Sequence, residues 1–100
     1  MNRPKIFQVI PTKNYLVYVF FENGIIKLYD AKKLIEIGGI YDILKDIDFF
    51  INRCTIINGS LAWDVDGNRS VDKCIDVCPD TIYNNCKTIK ESDIQIAQKK

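Results

Sequence analysis

Four cysteines are the residues of this sequence best suited to metal or redox chemistry: Cys54, Cys74, Cys78 and Cys86. The spacing of Cys74 and Cys78 occurs in structural zinc sites, so this pair could supply half of such a site. The other half would require the two remaining cysteines to converge on it. Because we expect Cys54 in a strand on the core side, it suits a small buried hydrophobic residue better than a metal ligand. With no signal-peptide pattern ahead of them, we interpret all four as reduced structural thiols.

An acidic segment that begins at residue 64 resembles the start of a calcium loop. Asp64–Ser70 carries side-chain oxygens at the first, third and fifth positions of such a loop. Arg69 stands where the loop needs glycine, and Ile75 stands where it needs glutamate. A turn rich in Asp, Gly, Asn and Ser explains the same composition without a metal, and this is our interpretation.

Catalytic chemistry is restricted by the absence of histidine from the sequence. This absence excludes histidine-based acid–base catalysis, Ser-His and Cys-His nucleophile pairs, and most zinc-enzyme sites. Two carboxylate pairs, Asp46 with Asp48 and Asp64 with Asp66, could exchange protons in principle. No nucleophile, phosphate-binding glycine loop or cofactor motif accompanies them, so we interpret them as solvated charges. We predict that the protein is not an enzyme and uses no cofactor and no metal.

Length and charge limit the function classes further. The chain has 100 residues, a single-domain length, with 14 basic and 13 acidic residues and a net charge of +1. This balance disfavours binding to nucleic acid or acidic membranes through bulk charge. The longest apolar stretch, Tyr15–Phe21, is far too short to cross a bilayer, and no signal-peptide core follows Met1. We expect a cytoplasmic protein.

An Asn-Gly pair at residues 23–24 organises a first hairpin. It lies between two runs rich in β-branched and aromatic residues and suits a two-residue type I′ turn. Such a loop sets Phe21 opposite Ile26 and therefore Tyr18 opposite Tyr29. Because side chains alternate between the faces of a sheet, this register predicts a core face made of Val17, Val19, Phe21, Ile26 and Leu28.

The opposite face of this hairpin is our candidate interaction surface. The expected register places on it five side chains that could contact a partner: Leu16, Tyr18, Phe20, Lys27 and Tyr29. Exposed apolar and aromatic surface of this extent marks protein interfaces. The alternative, which the sequence leaves open, is that a helix or the C-terminal segment of the same chain covers this face.

Asn58–Gly59 repeats the same turn in a second hairpin. The two-residue loop sets Cys54 opposite Trp63 on the core side, because a slip by one residue would move Trp63 into water. The same register sets Arg53 opposite Asp64 as an ion pair on the other face.

Helical spacing between the hairpins predicts one helix, which ends near Asp46 or Asp48. The apolar residues that recur at this spacing are Ile40, Ile43, Leu44, Ile47 and Ile51. Residues 5–10 predict an N-terminal strand, residues 74–77 a short extended piece, and residues 79–84 a short helix that begins at Pro79.

These elements predict one small α+β domain over residues 1–90. It is mostly antiparallel β-sheet built from two hairpins plus an N-terminal strand, with one short helix packed on it and a short C-terminal helix. The polar residues 91–100 are expected to form a frayed tail.

The order of these motifs resembles a known bacterial family. Its most specific parts are the phrase F-E-N-G at residues 21–24, the following Tyr29-Asp30, and Trp63 with the pattern D-x-x-P-x-x-x-Y over residues 76–83. Over roughly residues 4–86 the chain is similar to the family called domain of unknown function 2442. The resemblance implies a compact α+β domain with an antiparallel sheet. It also implies a partner, because many relatives are encoded beside a small protein of the domain-of-unknown-function 4160 family, in a proposed toxin–antitoxin pairing.

We therefore predict a non-enzymatic protein-interaction domain, by resemblance an antitoxin-like protein that binds a small toxin encoded nearby. A homodimer is the other assembly that the aromatic face could form. Two further hypotheses stay open. One is a DNA-binding autoregulatory protein, which the near-zero net charge disfavours, and the other is a small metal-binding protein.

Overall fold

The computed structural model describes residues 4–68, 74–90, 92 and 94. Within these residues seven strands form two antiparallel sheets. The four-stranded sheet has the order β1-β2-β3-β7, with the strands β1 (Ile6–Pro11), β2 (Leu16–Phe21), β3 (Ile26–Asp30) and β7 (Lys87–Ile89). The three-stranded sheet has the order β4-β5-β6, with the strands β4 (Cys54–Ile57), β5 (Ser60–Asp64) and β6 (Cys74–Val77).

Short helices connect and cover the two sheets. They are α1 (Lys32–Ile37), a 3₁₀ helix (Gly39–Lys45), α2 (Ile47–Asn52) and α3 (Pro79–Asn85). The architecture is therefore α+β, which confirms the predicted fold class, including the N-terminal strand, the extended piece at residues 74–77 and the helix that begins at Pro79. None of the helices described is long and apolar enough to span a membrane. Most of the predicted tail at residues 91–100 lies outside the described residues, and so do residues 69–73, which include the end of the acidic segment.

The second hairpin has the predicted register. Cys54 pairs with Trp63, and both turn residues have positive φ, 52° at Asn58 and 79° at Gly59, as a type I′ turn requires. Trp63 is fully buried. Arg53 contacts Asp64 through the main chain: its Nη1 donates to the Asp64 carbonyl oxygen at 2.9 Å.

The first hairpin differs from its predicted register by one residue. The main-chain nitrogen of Gly24 donates to the carbonyl oxygen of Phe21 at 3.0 Å, and the nitrogen of Phe21 donates to the oxygen of Ile25 at 2.9 Å. Of the Asn-Gly pair, only Gly24 has positive φ, 93°. The loop is therefore a three-residue turn closed by a glycine bulge, and the expected type I′ turn was wrong.

This shift exchanges the two faces of β3. Tyr18 pairs with Leu28 and Val19 pairs with Lys27, so Lys27 and Tyr29 lie on the core side and Leu28 lies on the outer side. The predicted core positions on β2 were right, whereas those on β3 were wrong. Alternation could not fix the register because β3 carries large side chains with apolar parts on both faces.

The helix predicted between the hairpins ends near Asp46 as expected, but its turns form the 3₁₀ helix, and an unpredicted second helix, α2, follows it. Asp46 is extended, with φ −75° and ψ 109°, and its carboxylate accepts from the nitrogen of Asp48 at 3.0 Å as the N-cap of α2. Before it, Gly38 and Gly39 have positive φ of 80° and 63°, so the chain turns sharply between α1 and the 3₁₀ helix. The helical spacing predicted from the sequence thus runs across a cap that starts a new helix.

The main core lies between the inner faces of the two sheets and the helices. Its largest fully buried side chains come from both sheets and from the helical segments: Trp63, Phe21, Phe50, Leu44, Leu61, Ile82, Val17 and Val19. Trp63 joins a strand to α2, because its Nε1 donates to the carbonyl oxygen of Phe50 at 3.0 Å and the two rings lie 5.4 Å apart. The core therefore couples the second hairpin to the helical segment.

Candidate functional site

The five predicted interface residues lie on two different faces of the four-stranded sheet. Tyr18 and Phe20 lie on the outer face, where they pair with Leu28 and Ile26, and strand alternation places Leu16 on the same side. Lys27 and Tyr29 lie on the inner face and are buried. The structure therefore does not bring the five residues together in one surface.

Lys27 has its partners inside the fold. Its Nζ donates to Oγ1 of Thr88 at 2.7 Å and to the carbonyl oxygen of Cys86 at 3.3 Å. The ammonium group also lies 5.3 Å from the centre of the Tyr83 ring, within the range of a cation–π contact. These contacts tie β3 to β7 and to the end of α3, which accounts for a lysine at this position.

Tyr29 is held as a neutral phenol. Burial raises its pKa to about 12, and the neighbouring groups of Cys86, Tyr41 and Asp30 add to the increase. Its side chain belongs to the main core. A partner could reach Tyr29 only if the surrounding core opened.

The outer face is covered in part by the same chain. Ile94 is only 5% exposed and packs in a small cluster with Tyr18 and Ile26. Phe7 remains 55% exposed on β1, and its ring lies 6.1 Å from that of Phe20. Of the two alternatives left open by the sequence, cover by the C-terminal segment therefore holds at Tyr18, while the Phe7 end of the face stays exposed.

Three exposed isoleucines lie on the helical segment. We call them the isoleucine patch: Ile37, Ile40 and Ile43 are 69%, 72% and 40% exposed. Ile37 ends α1, and the other two lie three residues apart in the 3₁₀ helix, where side chains at that spacing fall on the same side. This surface was not predicted, because the helical spacing of Ile40 and Ile43 with Leu44 indicates one face packed against the sheet. The available signal was the Gly38-Gly39 pair, which separates α1 from the turns that follow.

Three of the four thiol groups have raised pKa values. Burial raises the pKa of Cys54 to about 12, and desolvation also raises the pKa values of Cys74 and Cys86. Cys78 is exposed, and all four cysteines are free thiols. Across residues 4–68 and 74–90, no three histidine, cysteine or acidic side chains lie close enough together to hold a metal ion.

The candidate acidic groups serve local structure. Asp46 caps α2, and Oδ1 of Asp64 accepts from the nitrogen of Gly67 at 3.0 Å. Oδ1 of Asp66 accepts from the nitrogen of Asn68 at 2.9 Å, which is the turn chemistry expected of this segment.

No family model, no curated protein and no solved structure matches this chain. The resemblance to the family called domain of unknown function 2442 therefore stays a prediction from the sequence motifs.

Proposed function

We propose that this chain is a protein-interaction domain without enzymatic activity, and that its contact surface is the isoleucine patch. The observation that carries this proposal is the exposure of Ile37 and Ile40, which are 69% and 72% exposed, whereas most other aliphatic residues that the structure describes are buried or half-buried. Single exposed apolar residues are ordinary, but Ile40 and Ile43 fall on one side of the 3₁₀ helix, and grouped exposed apolar residues mark interfaces.

The surroundings of the patch have the character of an interface rim. Lys33 and Glu36 are exposed on α1, and Lys45 forms an ion pair with Asp42 at 3.6 Å on the 3₁₀ helix. An apolar centre inside a polar, charged border is the usual anatomy of a protein contact.

Burial of the patch can supply a useful share of binding energy. Full burial of an isoleucine side chain contributes about 1.5–3 kcal/mol, and most of the surface of Ile37 and Ile40 remains available. A partner that covered both would therefore gain a few kcal/mol from these two residues. Such energetically dominant residues characterise protein interfaces.

The partner class we propose is a small protein encoded nearby, with this chain in the role of an antitoxin and both proteins in the cytoplasm. The support for this part is the set of sequence motifs at residues 21–30, 63 and 76–83. The exposed patch supports contact with a protein and is neutral as to which protein.

The test is an affinity capture from cells that express the protein naturally, with three matched variants. Ile37→Lys combined with Ile40→Lys removes the patch. Phe7→Lys tests the exposed end of the outer face, and Val65→Lys changes an isolated exposed residue, 39% exposed, as the control. We expect one small protein, in constant ratio to the bait, with the wild type, the Phe7 variant and the Val65 variant, and its loss with the patch variant.

Two outcomes would contradict the proposal. Loss of the partner with Phe7→Lys and its retention by the patch variant would move the interface to the outer face. The second outcome is recovery of the bait alone. If light scattering then shows a monomer or a homodimer, and the patch variant has the same oligomeric state, the patch has no partner.

A further inference from the structure

Three junctions in this chain place an asparagine or aspartate directly before glycine: Asn23–Gly24, Asn58–Gly59 and Asp66–Gly67. At such a junction the main-chain nitrogen of glycine can attack the side-chain carbonyl carbon of the preceding residue, because glycine has no side chain to hinder the approach. All three junctions are exposed. Exposure therefore does not distinguish the three junctions, but their hydrogen bonds do.

Asn23–Gly24 is held by three hydrogen bonds. Nδ2 of Asn23 donates to the hydroxyl of Tyr83 at 3.2 Å, and Oδ1 accepts from the nitrogen of Ile25 at 3.0 Å. The nitrogen of Gly24 donates to the carbonyl oxygen of Phe21 at 3.0 Å. These bonds fix the Asn23 side chain and the Gly24 nitrogen, so neither is free to turn towards the other.

Asp66–Gly67 is held in the same way. The nitrogen of Gly67 donates to Oδ1 of Asp64, and Oδ1 of Asp66 accepts from the nitrogen of Asn68. The attacking nitrogen and the carboxylate under attack are thus both occupied.

Asn58–Gly59 lacks this protection. In a type I′ turn the nitrogen of the second central residue points away from the hairpin's hydrogen bonds, and both residues have positive φ here. Among the described residues, neither the Asn58 side chain nor the Gly59 nitrogen makes a hydrogen bond. The turn is the tip of a hairpin, where local opening has a low free energy.

We infer that Asn58 is the site of spontaneous deamidation in the folded protein, and that Asn23 is protected from the same reaction. The Gly59 nitrogen loses its proton to water and forms a bond to Cγ of Asn58, the bond from Cγ to Nδ2 breaks, and the nitrogen leaves as ammonia after taking up a proton. Water then opens the resulting cyclic imide at either carbonyl and gives aspartate or isoaspartate. The reaction needs water only and no oxidant or cofactor.

The product changes both charge and backbone. A carboxylate at position 58 lowers the net charge of the chain by one, from +1 to zero. The isoaspartate product also adds a methylene group to the main chain inside a two-residue loop, and that loop sets the register that buries Trp63.

The experiment follows loss of ammonia at each asparagine by peptide mass spectrometry. The folded protein is incubated in mildly alkaline buffer at physiological temperature, beside the same chain in denaturant. We expect comparable loss at Asn23 and Asn58 in denaturant. In the folded protein we expect loss at Asn58 that is at least roughly tenfold faster than at Asn23, a factor that corresponds to about 1.4 kcal/mol.

Two variants make the test specific. Tyr83→Phe removes the hydroxyl that holds Nδ2 of Asn23, so deamidation of Asn23 should become faster while that of Asn58 stays the same. Asn58→Asp carries the added negative charge from the start, so its incubation should no longer produce the first acidic shift seen by isoelectric focusing of the wild type. Equal or faster loss at Asn23 in the folded wild type would overturn the inference. So would an intact Asn58 after an incubation that fully converts the denatured chain.

Discussion

Substitution of two residues of one 3₁₀ helix should lower stability by very different amounts. Leu44 is fully buried in the main core, whereas Ile40 is 72% exposed. Leu44→Ala removes packed side-chain atoms and leaves a cavity, so we expect a loss of about 2–5 kcal/mol in the free energy of unfolding. In Ile40, less than a third of the surface is buried, and full burial contributes about 1.5–3 kcal/mol, so Ile40→Lys should cost less than about 1 kcal/mol.

Urea unfolding followed by the fluorescence of Trp63 measures both values. In both variants the free energy of unfolding should fall with urea at the wild-type slope, and only the urea concentration at the unfolding midpoint should change. The packed amphipathic helix that the spacing of Ile40, Ile43 and Leu44 predicts would bury both side chains and make both substitutions costly. A loss of more than about 2 kcal/mol in Ile40→Lys would therefore refute the exposed position of Ile40 and the isoleucine patch together.

Two further predictions concern stability. Tyr15 has a φ of 65°, packs edge-to-face on Phe50 at 5.2 Å and donates to the carbonyl oxygen of Lys45. Tyr15→Phe should lower the free energy of unfolding by about 1 kcal/mol in urea titrations. Tyr15→Gly should lower it further, because the packing energy lost with the ring exceeds the backbone strain of about 1–3 kcal/mol that glycine relieves. A Tyr15→Gly protein as stable as the wild type would contradict this. Burial raises the pKa of Cys54 from 9.0 to about 12, so the unfolded chain releases this proton first and stability should fall as pH rises from about 9 towards 12. Denaturant titrations across pH 9 to 10 should show a smaller fall in Cys54→Ala, and an equal fall in both proteins would argue against a buried thiol.

The register of the second hairpin was predictable because local and long-range preferences agree there. Asn58 and Gly59 suit a type I′ turn, and the same register buries Trp63. In the first hairpin the local turn preference and the long-range packing favour different registers. Both faces of β3 carry side chains that can be buried, including the stem of Lys27, so the shift of one residue leaves no large apolar group stranded in water.

The candidate surface was less predictable than the fold. Periodicity identified Leu44 as a core residue but could not show that Asp46 starts a new helix, since capping depends on the path of the main chain. The exposure of Ile40 follows from that break. Cover of Tyr18 by Ile94 depends on a contact between distant parts of the chain, which no local pattern specifies.

The measurement that tests the central claim most directly is the affinity of the captured partner for two purified variants. Ile40→Lys changes the centre of the isoleucine patch, and Val65→Lys places the same residue at a different exposed apolar position. We expect calorimetric titration to give at least about tenfold weaker binding for Ile40→Lys, equivalent to about 1.4 kcal/mol, and wild-type binding for Val65→Lys. Equal affinities for the wild type and both variants would contradict a contact at the isoleucine patch.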